Sequence, residues 1–248
     1  NIKSLDLKTQ AVLNLSSKTV SIDSLSLILP QSSGNISGNI DWSKKDILYD
    51  LKTNIDILLD NLSEVAPQYN LKGRFKSKAV LTQNMFDGSI DLENVFSSNR
   101  SYGNISNLNA KTHIKAENKK PLLKADFKTL DIDKLDIKIT SLNANYNDAE
   151  ISLKGNCIKT KKSKINFNLR LKNLSNNTIS SFYTSKTGFS IPALDLAAQT
   201  TFDFKNKSAN ISQLTVELPQ SSISTSGNID WSKKNFIYKL NLDIDLLL

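Results

Sequence analysis

The chain holds one histidine, His113, and one cysteine, Cys157. An imidazole can serve as a general base or metal ligand, but only with a partner group in reach. His113 stands in an alternating stretch, Leu108, Ala110, Thr112, Ile114, Ala116, with no Cys or carboxylate constellation near it in sequence. Cys157 alone supports neither a disulfide framework nor a multi-cysteine metal site. Following Gly155-Asn156, it reads as a small apolar residue on a strand. Asp131, Asp133 and Asp136 offer carboxylates that calcium could take, yet they continue a strand's polar positions and no glycine-bearing loop follows. Gly34, Gly38 and Gly227 precede no helical pattern, so they form no phosphate loop. The sequon Asn35-Ile36-Ser37 carries weight only in a glycosylating host. These residues point to a non-enzymatic chain with no cofactor and no metal.

The strongest pattern is repetition. Leu29-Pro30-Gln31-Ser32-Ser33 recurs as Leu218-Pro219-Gln220-Ser221-Ser222, and Ser37 through Lys45 recurs as Ser226 through Lys234. The shift is constant (231 − 42 = 189), and 14 of the 17 positions from Leu29 to Lys45 are identical. At the same shift Leu5, Leu7, Ala11, Leu13 and Leu15 fall on Leu194, Leu196, Thr200, Phe202 and Phe204. A weaker third copy lies between: Ile139, Leu142, Tyr146, Ile151 and Gly155 match Ile211, Leu214, Leu218, Ile223 and Gly227, until the alignment slips after Cys157. Repeats of this kind work through an extended surface rather than one pocket.

Period-two alternation dominates the rest. Leu5, Leu7, Thr9, Ala11, Leu13 and Leu15 take one face, with Asp6, Lys8, Gln10 and Asn14 on the other. The same pattern runs through Ile47–Ile57, Leu71–Leu81, Leu135–Ile139, Ile165–Leu171 and Phe236–Leu246, punctuated by short turn signals such as Asp87-Gly88. About fifteen strands follow, joined mostly by short connections that favour an antiparallel meander. Leu58–Val65 and Leu174–Tyr183 break the alternation and carry helix-start residues, so each is expected to be a short helix or structured connector.

The predicted fold is all-β: one long, curved, mostly antiparallel repetitive sheet with one or two short helical connectors. It divides into repeat units over 1–60, 61–175 and 176–248 of a single continuous domain. An apolar face on so many strands cannot stay wet, since each buried side chain contributes roughly 1.5–3 kcal/mol. The sheet is therefore expected to close, stack or curl into a trough. No apolar run is long enough to span a bilayer. The abrupt start and end are read as those of a piece cut from a longer polypeptide.

The net charge is +8. Lysines gather at turn tips, as Lys44-Lys45, Lys119-Lys120, Lys161-Lys162 and Lys233-Lys234. They blunt sheet edges and suit anionic headgroups; no aromatic-basic platform points to nucleic acid. Trp42 and Trp231 read as strand-end packing residues.

The segment Leu25 through Ser33, followed by Ser37-Gly38-Asn39-Ile40-Asp41-Trp42, resembles the AsmA-like family, which includes TamB-type proteins, and Leu214–Trp231 resembles it again. The resemblance implies a long β-groove with an apolar concave face, periplasmic and anchored at the inner membrane of a diderm bacterium. It further implies phospholipid transport between membranes and outer-membrane homeostasis, with envelope proteins as partners and membrane attachment through parts outside this segment. Physical reasoning reaches a similar place. A trough that shelters acyl chains, at about 0.8 kcal/mol per methylene, needs near-equal sites along its length, which near-identical repeats supply. Leu7, Leu13, Leu27, Leu51 and Ile55, with their counterparts Leu196, Phe202, Val216, Leu240 and Ile244, are the expected lining. The competing expectation is a structural spacer, tether or adhesin module whose apolar face packs on itself and holds no ligand.

Overall fold

The computed structural model describes residues 6–62, 67–99, 103–119, 133–147, 149–159, 163–175, 193–233 and 237–246. Alternating β-branched and leucine residues between Asn, Ser, Lys and Gly turns produce strands throughout. They are β1 (Asp6–Asn14), β2 (Thr19–Leu29), β3 (Ser32–Asp41), β4 (Leu48–Leu58), β5 (Lys72–Thr82), β6 (Met85–Asn99) and β7 (Gly103–Glu117). The second half adds β8 (Lys134–Tyr146), β9 (Ala149–Lys159), β10 (Lys164–Leu174), β11 (Leu194–Asp203), β12 (Ser208–Leu218), β13 (Ser221–Asp230) and β14 (Ile237–Leu246). All belong to one 14-stranded sheet whose strand order is the chain order. Every neighbouring pair is antiparallel. The expected all-β, antiparallel, repetitive sheet is present in one piece. Pairing of β4 with β5 and of β10 with β11 carries it across residues 60/61 and 175/176.

Two particulars differ from the sequence expectation. The sheet is open and uncurled, not bent into a trough. Every pair of strands in substantial contact is a sequence-adjacent pair, so no second layer covers either face among the described residues. Closing fourteen strands would also enclose a lumen wider than side chains can fill. The connectors differ too. Where a short helix or structured connector is expected over Leu58–Val65, the described residues hold a 3-10 turn, Leu59–Leu62, with a second at Pro67–Tyr69, and no α-helix. Asn61 ties the first back to the β2–β3 turn, its Nδ2 donating to Pro30 O at 2.7 Å and to Ser32 Oγ at 2.8 Å. Leu174 closes β10, and from residue 176 the second expected connector lies outside the described residues.

A single layer has little interior. The accessible surface is 16893 Å², against about 11,000 Å² for a compact monomer of this size. Eight apolar residues are buried among those described, and six are alanines sheltered beneath longer neighbours; the other two are Tyr49 and Val95.

The structure also settles the third repeat. Ile22 and Leu25 of β2 flank a bulge, as do Ile139 and Leu142 of β8 and Ile211 and Leu214 of β12. Opposite each bulge stands a glycine, Gly38, Gly155 or Gly227. Spacing by three would turn Leu25 to the wrong face; the bulge absorbs the extra residue and restores it.

Candidate functional site: an uncharged apolar face

Directly paired residues of antiparallel strands project from the same side of a sheet. Following those pairs from strand to strand therefore maps each face. One row runs Thr9, Leu25, Ile36, Thr53, Ala79, Gly88, Ile114, Ile137, Cys157, Ile165, Phe202, Ala209, Ile229, Tyr238. A second runs Leu7, Leu27, Gly34, Ile55, Ser77, Ile90, Thr112, Ile139, Gly155, Phe167, Thr200, Ile211, Gly227, Leu240. Each crosses all fourteen strands without one charged residue. At roughly 4.8 Å per strand, each row is about 60 Å long.

All ten residues expected to line the site fall on this face. Leu7, Leu27, Ile55 and Leu240 lie in the second row, and Phe202 lies in the first. Leu13 pairs with Val20, Leu51 with Gly38 and Leu81, and Leu196 with Val216, which continues through Ile223 to Ile244. Leu51, Ile55, Leu196, Phe202 and Val216 are half-buried by their neighbours, whereas Leu7, Leu13, Leu27, Leu240 and Ile244 are exposed. Phe167 and Phe202 stack with ring centroids 6.0 Å apart, and Phe202 with Phe204 at 6.2 Å. Sequence reasoning did not single out Phe167; its position opposite Gly155 emerges only from the register.

The opposite face is polar and knitted by cross-strand pairs. Asn166 Nδ2 donates to Asn156 Oδ1 at 3.1 Å, and Asn210 Nδ2 to Asn228 Oδ1 at 2.8 Å. Lys76 meets Glu93 at 2.6 Å and Lys134 meets Glu117 at 2.8 Å. The Arg74 guanidinium holds the Asp56 carboxyl below its ordinary range through hydrogen bonds and charge. Asp41 and Asp230, equivalent residues at the 189 shift, cap equivalent turns: each carboxylate accepts the backbone N–H two residues on, from Ser43 at 2.8 Å and Ser232 at 2.7 Å. Hydrogen bonds from those serines lower both carboxyl pKa values. Trp42 and Trp231 sit just past the same strand ends, donating backbone N–H to Lys18 O at 2.9 Å and Lys207 O at 2.8 Å.

The chemistry-bearing residues divide between the faces. His113 Nε2 lies 3.2 Å from Asp87 Oδ1 on the polar face, a partner invisible in sequence because 26 residues separate them (113 − 87 = 26). Ser89 pairs directly with His113 in register. No hydrogen bond joins the two side chains, and the imidazole is half exposed in an open depression with Lys52, Lys78 and Ser89. Cys157 takes its place on the apolar face between Ile137 and Ile165. Burial, then the Asp136 charge, raises its thiol pKa. Among the described residues no group of three or more His, Cys, Asp or Glu could hold a metal ion; Asp131 lies outside them.

No helix among the described residues is long and apolar enough to cross a membrane. No protein-family model matches the chain, and neither does any curated protein or solved structure.

Proposed function

We propose that this chain is a non-enzymatic lipid-binding segment of an envelope protein, carrying phospholipid or another acyl lipid between two membranes. The observation that carries the reading is the pair of uncharged rows crossing all fourteen strands, with nothing laid over them among the described residues. An acyl chain moving through water costs about 0.8 kcal/mol per exposed methylene. A strip of Leu, Ile, Phe, Ala and Thr removes much of that cost, while the headgroup stays hydrated beyond the strand ends. Exposed lysines at the turns, such as Lys44, Lys45 and Lys233, suit an anionic headgroup there. The three bulged copies repeat one local surface, so bound lipid meets similar sites along the sheet and no single deep well. The AsmA-like resemblance of Leu25–Trp42 and Leu214–Trp231 supplies the setting: a periplasmic stretch of a parent protein held at the inner membrane. A spacer with a filled core would need a second layer over the apolar face, and none stands among the described residues.

Native mass spectrometry of the chain purified without detergent tests the proposal. The expected result is co-purifying acyl lipid at more than one equivalent per chain. A lipid-free, stably folded and protease-resistant chain would replace the proposal with the spacer reading.

A further inference from the structure

The polar face carries a continuous row of its own. Followed through the register pairs, its middle six members are Asn54, Lys78, Ser89, His113, Lys138 and Asn156. Across the fourteen strands the row holds four lysines, one histidine, six asparagines, two serines and one threonine, and no carboxylate. Acidic residues do occur on this face, but in the rows on either side, where they alternate with bases from strand to strand. Asp56, Lys76, Asp91 and Lys111 stand in succession on one side, and Asp87, Lys115 and Asp136 on the other. Those rows neutralise themselves; the row between them does not.

Its cations are uncompensated. Lys78 and Lys138 are exposed and, among the described residues, neither forms an ion pair. Asp87 of the flanking row is already engaged, 3.2 Å from His113 Nε2. Lys78 and Lys138 stand three strands apart, about 14 Å. Further along, the row is amide. Asn156 bonds to Asn166 and Asn210 to Asn228, and each bond leaves further amide donors and acceptors on both side chains.

We infer that this row binds a linear acidic polysaccharide laid across the strands. The lysines meet its carboxylates, while the asparagine amides and the hydroxyls of Ser89 and Thr201 meet the sugar hydroxyls between them. Three features select that partner. The uncompensated charge is one side chain wide, so an anionic bilayer would press on the flanking carboxylates as well, whereas a single polymer chain need not. The row runs about 60 Å, far beyond the reach of one small anion. No aromatic residue stands in it for a nucleic-acid base to stack on. The row lies on the face opposite the apolar one, so the inference neither requires nor excludes lipid there.

Polygalacturonate, a linear chain of carboxylated sugars, is the probe, with dextran as the neutral control; biolayer interferometry at low ionic strength reads the binding. Lys78→Gln with Lys138→Gln removes two cations from the row. Lys76→Gln with Lys111→Gln removes two from a flanking row and lowers the net charge equally. The expected result is binding to polygalacturonate and not to dextran. The first pair should weaken it about fivefold and the second by less than about twofold, in variants with unchanged far-ultraviolet circular dichroism. Ser89→Asp sets a carboxylate in the row without removing a base and should weaken binding independently, while Lys78→Arg with Lys138→Arg should retain it. No binding to polygalacturonate, equal binding to dextran, or equal weakening by the two glutamine pairs would overturn the inference. Tighter binding to phosphatidylglycerol vesicles, lowered equally by both pairs, would overturn it in favour of an anionic lipid surface.

Discussion

Identity between the repeat copies is strictest where the backbone leaves no room. A Cβ on Gly38 would stand 1.9 Å from Asp50 O, and one on Gly227 would stand 2.0 Å from Lys239 O. Their φ values, +136° and +145°, are ones that other residues rarely adopt. Gly34 is different: its Cβ would meet only Leu27 Cβ, at 3.9 Å, and the other copy carries Ile223 there. Gly38→Ala should therefore lower stability by more than about 1 kcal/mol, while Gly34→Ala should leave it level or raise it slightly. Urea midpoints read by circular dichroism measure both, and equal midpoints would refute this account of the repeated Ser-Gly-Asn-Ile-Asp-Trp segment. Residue-scale legibility was uneven. The register pairs put all ten expected lining residues on one face, and alternation grouped them within each strand, because side-chain direction follows parity wherever no bulge intervenes. The His113–Asp87 contact was hidden, because it depends on hairpin register, which alternation does not encode.

Among the elements, the bulged strand is the unit that repeats. Its signature in sequence is a defect in the period, Ile22 to Leu25, Ile139 to Leu142, Ile211 to Leu214, which alternation alone reads as a change of face. The slip after Cys157 also has a structural origin. The residue opposite the glycine lies 12 positions on in the middle copy (167 − 155) but 13 in the outer copies (51 − 38 and 240 − 227). The connection from β9 to β10 is one residue shorter, and no periodicity analysis separates a short turn from a lost repeat. The connectors were the weakest reading: helix-start residues such as Asp60 are equally suited to turns, and Asp60 Oδ2 in fact accepts the Gly73 N–H at 3.2 Å. One deletion tests the bulge directly. Removing Ser212 leaves one residue between Ile211 and Leu214, matching the single residues on β11 and β13 and keeping both side chains on the apolar face. Removing Thr215 instead sends Val216 and Leu218 to the polar face. The first deletion should change stability by under about 1 kcal/mol, the second by several times that. Thermal melts of the two chains decide it, and a Ser212 deletion as damaging as the Thr215 deletion would mean that the bulge itself holds the sheet together.

At the scale of the molecule, the sequence specified strands and faces but not what covers the apolar one, since coverage depends on layers that no local pattern records. Among the described residues, fourteen strands with sequence-adjacent pairing alone leave about 60 Å of uncharged surface open. Under the proposed function, acyl lipid bound there responds to charge on one face and ignores it on the other. Neighbouring residues of β4 provide the contrast: Ile55 lies in an apolar row between Gly34 and Ser77, and Asn54 lies on the polar face between Asn35 and Lys78. Ile55→Asp places a carboxylate against the proposed lipid path, where desolvating it is costly; Asn54→Asp adds the same charge in water, opposite a lysine. Bound lipid per chain, counted by native mass spectrometry on variants with unchanged circular dichroism, should fall for Ile55→Asp and stay level for Asn54→Asp. An equal fall in both would point to headgroup charge as the source of binding, and no fall in either would remove the apolar rows from lipid binding altogether.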